Sequence, residues 1–104
     1  MKSDPNLVNQ IGQTIWNLLD QHSGGCVDRE AVKEIEQLTA EARRASDYDP
    51  YVCETTSAIG SFAKILYSAR KHQEYQNHNQ SGPETLRDII RSDLERIKAW
   101  EGAV

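Results

Sequence analysis

Apolar residues in this chain recur three and four positions apart in four separate runs, each set off by Asp, Pro or Gly signals. Such spacing belongs to one face of an α-helix, and no run alternates with the period of two that a strand requires. The first run holds Leu7, Val8, Ile11, Ile15, Leu18 and Leu19, and it follows Asp4-Pro5. Aspartate can accept a bond from the free amides of a first turn, and proline at the first helical position lacks only an N–H that has no partner there. Ser23-Gly24-Gly25 ends the run, because glycine takes the left-handed geometry that stops helices. The expected helix covers residues 5–22. Trp16 falls at the edge of its stripe.

Three more helices are expected at 28–46, 50–75 and 83–101. In the second, Ala31, Ile35, Leu38, Ala42 and Ala45 make a narrow seam surrounded by charge. The third opens on Asp49-Pro50 and carries Val52, Thr55, Ile59, Phe62, Leu66 and Ala69. A helix that long, roughly 38 Å, outreaches its neighbours, so it either overhangs them or bends near Gly60. Ser81 and Glu84 around Pro83 fit a capping box for the fourth. That helix presents Leu86, Ile89, Ile90, Leu94, Ile97 and Trp100, and Gly102 closes it. Four amphipathic helices with short connections predict an all-α fold, an antiparallel up-down four-helix bundle, with residues 1–104 as a single domain.

Leu, Ile, Val and Phe make up about a fifth of the chain, the level near which disorder sets in. Their periodicity argues for a folded but lightly cored domain, one that gains stability from a partner or a second copy. No stretch approaches the roughly 20 apolar residues that span a bilayer, and "MKSDPNLVNQ" lacks the apolar run of a signal peptide. The expected compartment is the cytoplasm, with Cys26 and Cys53 reduced. Their wide separation makes neither a metal motif nor a redox pair.

Net charge is −4, unevenly spread. Residues 1–54 hold five basic and ten acidic side chains, whereas residues 55–104 hold seven and six. An acidic domain repels phosphate backbones, which argues against nucleic acid and toward a basic protein partner. Arg87, Arg91 and Lys98 share one face of the fourth helix, but Glu84, Asp88 and Glu95 nearly cancel their field.

Motifs for chemistry are missing. There is no HExxH, no phosphate-cradling glycine loop, no GxSxG elbow and no pair of Glu-x-x-His repeats. His72 and His78 fall on different faces and lack the convergence that zinc needs. The expectation is a protein that is not an enzyme and uses neither metal nor cofactor.

Two features suit recognition instead. "SDYDPY" at 46–51 sets Asp47, Tyr48, Asp49 and Tyr51 between two helices, and tyrosine is a rigid, amphipathic contact residue. Cys53, Thr56, Ser57 and Gly60 form a small-residue flank on the third helix, where another helix, from this bundle or from a homodimer, could approach closely. His22, Arg70 and Asp93 fall within apolar stripes, which calls for internal partners or a polar pocket.

These traits fit a non-catalytic interaction module that binds and modulates a protein, as an immunity- or inhibitor-type protein does. In broad terms the chain is similar to the colicin-nuclease immunity proteins, which are small, acidic and four-helical with a paired-tyrosine surface, although their motifs do not recur here residue by residue. An adaptor or secretion chaperone would be a variant of the same class. The alternative class is a structural or regulatory homo-oligomer, and a nucleic-acid-associated regulator stands third.

Overall fold

The first three helices each begin where a side chain can take over a free amide of the first turn. The computed structural model describes residues 3–22, 27–68 and 83–102, and among these it contains helices α1 (Pro5–Gln21), α2 (Arg29–Ala45), α3 (Pro50–Leu66) and α4 (Pro83–Lys98). Asp4, Asp28 and Asp49 cap the first three, their carboxylates accepting from the amides of Leu7, Ala31 and Val52 at 3.1, 3.1 and 3.2 Å. Removing such a cap costs about 1 kcal/mol. Ser81, expected to cap the fourth helix, lies outside the described residues.

α1 packs on α2 and α4, and α3 packs on the same two, so consecutive helices are neighbours around a compact bundle. Bonds between helix ends show that neighbours run antiparallel. The Asp4 amide donates to the Ala45 carbonyl at 2.6 Å, joining the start of α1 to the end of α2. The Asp28 amide donates to the Tyr67 carbonyl at 3.1 Å, joining the start of α2 to the end of α3. The Asn9 amide group donates to the carbonyls of Ile97 and Trp100 at 2.9 and 3.0 Å, closing α4 back onto α1. An all-α up-down four-helix bundle is therefore what the chain forms.

The core follows the predicted stripes, with some shifts at their margins. Val8, Ile15, Leu19, Ile35, Ile59 and Ile90 are among its fully covered side chains. Leu7 is instead exposed, because it shares its turn of α1 with the buried Val8 but points away from the seam. In α2 the buried row passes through Thr39 rather than Leu38, and in α3 through Ala63 rather than Phe62. Thr39 is tolerated there because its hydroxyl donates to the Glu36 carbonyl at 2.9 Å.

α3 is shorter than its periodicity suggests. It ends at Leu66 instead of continuing to residue 75, and residues 69–75 are not among those described. Tyr67 is drawn out of the helix by its neighbours: its carbonyl takes the Asp28 amide, and its hydroxyl donates to the His22 carbonyl at 3.2 Å. The result is four helices of matched length, 17, 17, 17 and 16 residues. No bend at Gly60 is needed, and the segment expected to overhang lies outside the described residues.

Two glycines in helix interiors have opposite surroundings. A Cβ on Gly12 would meet Lys98 Cγ at 3.0 Å and Ile97 Cγ2 at 3.1 Å, so α1 and α4 approach closely there. A Cβ on Gly60 would meet nothing within 4 Å. Gly60→Ala should therefore stabilise the fold by about 1 kcal/mol, roughly 4–8 °C in Tm for a domain of this size. Gly12→Leu should destabilise it by about 1–3 kcal/mol through overpacking. Thermal melts followed by circular dichroism check both.

Candidate functional site

At one end of the bundle, four helices converge on a polar knot. His22 Nδ1 lies 2.5 Å from Asp28 Oδ2, while the other Asp28 oxygen caps α2. The His22 carbonyl accepts from the Tyr67 hydroxyl and from Arg87 Nη2, the latter at 2.6 Å, and the His22 and Tyr67 rings meet edge to face. Hydrogen bonds from the Ala31 amide and then from His22 hold the Asp28 carboxyl below the usual carboxylate range. This is the internal partnering that His22 needed. Arg70, expected at the same end, lies outside the described residues, as do Cys26, His72 and His78.

Asp93 shows the opposite effect. Its side chain is only 13% exposed, and burial pushes its carboxyl up, partly offset by Arg96, whose Nη1 lies 3.4 Å away. A raised carboxyl favours the neutral form in the fold, so its contribution to stability is full below 3.8 and is lost as pH rises through the higher folded value. Asp28, with a lowered value, contributes stability above 3.8 that is lost as pH falls through its folded value. Asp93→Asn should thus raise Tm at pH 7, with the gain fading toward pH 3. Asp28→Asn, which keeps a good cap, should lower Tm at pH 7, with the loss fading only below 3.8, as pH falls through the lower folded value. Melts across pH test the two signs together.

The opposite end carries the tyrosines. α2 terminates at Ser46, and the amides of Ser46, Asp47 and Tyr48 return to the carbonyls of Ala42, Arg44 and Arg43 at 3.0, 3.0 and 2.8 Å. To make these bonds, Asp47 and Tyr48 both adopt left-handed backbone, with φ of 55° and 57°. Left-handed geometry costs roughly 1–2 kcal/mol per residue that carries a Cβ; aspartate tolerates it through local bonding and tyrosine does not. Asp49 then turns the chain into α3 as its cap. The rings of Tyr48 and Tyr51 project outward, 58% and 48% exposed, so they are surface and not core. Since the Tyr48 ring adds little to packing, Tyr48→Gly should stabilise the fold by about 1 kcal/mol, whereas Tyr48→Ala should leave it within about 0.5 kcal/mol. Denaturant titration separates the two.

The small-residue flank lies beside a trough between α2 and α3. Thr56 is buried inside the bundle, its hydroxyl donating to the Val52 carbonyl at 2.8 Å and accepting from Arg43 Nη1 at 3.2 Å. Ser57 is exposed, Gly60 half-buried, and Cys53 a half-buried free thiol. The four residues are therefore not one exposed face.

Three of the basic residues of α4 have partners on α1 or at its end. Arg91 pairs with Asp20 and lies 5.3 Å over the Trp16 ring, and Lys98 Nζ sits 4.6 Å over the same ring. Arg87 reaches the His22 carbonyl. These three cations brace the α1–α4 seam. That spacing is legible in sequence, but its purpose requires knowing that α4 lies against α1.

Among the described residues, no group of three or more His, Cys, Asp or Glu side chains could hold a metal ion, and no helix is long and apolar enough to cross a membrane. Fold and site together define a small all-α four-helix bundle whose most exposed aromatic groups, among the described residues, sit at the junction of α2 and α3. The chain matches no family model, no curated protein and no solved structure.

Proposed function

We propose that this protein is a non-catalytic interaction module that binds a partner protein through the turn between α2 and α3, with an inhibitor- or immunity-type role as its simplest form. The observation that carries this reading is Tyr48: a ring 58% exposed, held out by left-handed backbone that tyrosine rarely adopts. Backbone held in a sparsely populated region marks positions where something other than stability is served. Tyr51 stands beside it on the first turn of α3, and a pair of rigid aromatic rings is what binding hot spots are made of.

The net acidity of the chain favours a basic partner, but the nearby carboxylates contribute less than their number suggests. Asp49 is occupied as the cap of α3. Asp47 also has an interaction within the chain. The tyrosines therefore carry most of the recognition at this turn.

A homo-oligomer is the second reading, favoured by the open space over Gly60. Sedimentation at two concentrations tests it, since a strict monomer removes it. For the leading reading, the tagged protein and its Tyr48→Ala/Tyr51→Ala variant should be compared in pull-downs from the source cells. A specific partner held by the parent chain should be lost from the double variant, with helicity unchanged. Equal recovery by both would end the proposal.

A further inference from the structure

We propose that the trough between α2 and α3 receives an acidic helical segment of the partner protein; this rests on the binding reading above and adds to it the local charge of one segment, which is separate from the partner's net charge. Two hollows, each of about 450 Å³, lie end to end along this trough and meet at Glu36 and Lys64, whose ion pair crosses from α2 to α3 between them. Its rim carries Arg29, Lys33, Arg43 and Lys64 against the single carboxylate of Glu36.

Those charges are poorly neutralised. Lys64 pairs with Glu36 at 3.2 Å, both about half exposed. Arg43 bonds only the neutral hydroxyl of Thr56. Arg29 and Lys33 have no carboxylate partner among the described residues. The trough thus has an excess of three positive charges in a chain whose net charge is −4. Carboxylates are the complement to such a surface.

Shape selects a helix as their carrier. Ser57, Gly60 and Ser61 make a shallow wall on the α3 side, and Gly60 faces open space, so a third helix axis can come as near as ordinary helix packing allows. Val27, Val32 and Tyr67 give one end an apolar floor, which suits an amphipathic segment. From Arg29 to Arg43, α2 spans roughly 21 Å, matching about 14 residues of a docked helix. A nucleic acid, being wider, would also meet the neighbouring edge of α2, where Glu34 and Glu41 lie without a basic residue in the α1–α2 hollow. The trough ends at Arg43, whose carbonyl holds the Tyr48 amide, so a segment leaving it there meets the tyrosine turn.

The test is fluorescence anisotropy with a labelled helical peptide of alanine, leucine and glutamate, its carboxylates at i, i+4, i+7 and i+11. A scrambled peptide, a lysine-for-glutamate peptide and a single-stranded DNA oligonucleotide serve as comparisons. The acidic helix should bind with Kd below about 100 µM at low salt. Binding should weaken at least roughly tenfold in Lys33→Glu/Lys64→Glu, and equally in Gly60→Leu, which fills the trough without changing its charge. Circular dichroism confirms that each variant is folded. Absence of binding, equal binding of the scrambled peptide, indifference to the substitutions, or tighter binding of DNA would each overturn the proposal. A dimer that Gly60→Leu dissolves would assign the trough to a second copy and overturn it as well. If the partner captured from cells is lost with the tyrosine variant but retained by Lys33→Glu/Lys64→Glu, the trough assignment fails while the binding reading stands.

Discussion

Helix ends bonded to neighbouring helices set the geometry of this bundle. Each α-helix leaves backbone groups without internal partners at both termini, and a small domain has little core with which to offset any that stay bare. Here the neighbours supply many of them. The Asp28 amide meets the Tyr67 carbonyl, the Asp4 amide meets the Ala45 carbonyl, and Asn9 holds the last carbonyls of α4. Apolar packing alone would let the helices slide by a turn; these directional bonds fix their register. The turn at residues 46–49 inherits its shape from that constraint. With Ala45 tied to Asp4, α2 stops at a set height, and the chain rejoins α3 by passing through two left-handed residues.

Charge is distributed by the same pairing of helices. The α1–α4 seam absorbs Arg87, Arg91 and Lys98 in bonds to a carbonyl, to a carboxylate and over the Trp16 ring. Those contacts are partly screened from water, and cations over an indole face add roughly 0.5–2 kcal/mol depending on desolvation. Between α2 and α3 the basic side chains find one carboxylate and a threonine hydroxyl. An acidic chain thereby exposes a basic trough, something the net charge conceals. Composition reports the sum of the surface field, while partners respond to its local sign.

Periodicity and caps made most of the fold legible in sequence. Asp4-Pro5 and Asp49-Pro50 mark helix starts because the chemistry involved is local: one carboxylate, one amide three residues on. The end of α3 was not legible, since Tyr67 leaves the helix to meet His22 and Asp28, and no neighbouring residue announces that. Thr39 replaced Leu38 in the buried row for a similar reason; a hydroxyl that bonds within its own helix can lie in a core seam, and hydropathy ranks it too low. Of the candidate site, the exposure of Tyr48 and Tyr51 is consistent with the polar, proline-containing stretch that joins α2 to α3. The left-handed backbone beneath Tyr48 was not legible, because glycine and asparagine, the usual signals, are absent from the turn. Gly60 was noticed for its small size, and only its surroundings separate it from Gly12, where closeness of α4 is the evident reason for glycine.

Tyr48, Gly60 and Asp93 each work against stability in this fold: a strained tyrosine, a glycine with nothing near it, and a carboxyl displaced toward its neutral form by burial. A domain of this size has a margin of only about 5–15 kcal/mol, so several such features are a substantial fraction of it. Two of the three lie along the α2–α3 side, on the tyrosine turn and in the trough that leads to it. If that side existed only to hold the bundle together, glycine at the turn and alanine in the trough would serve better. The proposed binding role would account for their arrangement, and α2 and α3, the helices that frame it, are where such contact would register first.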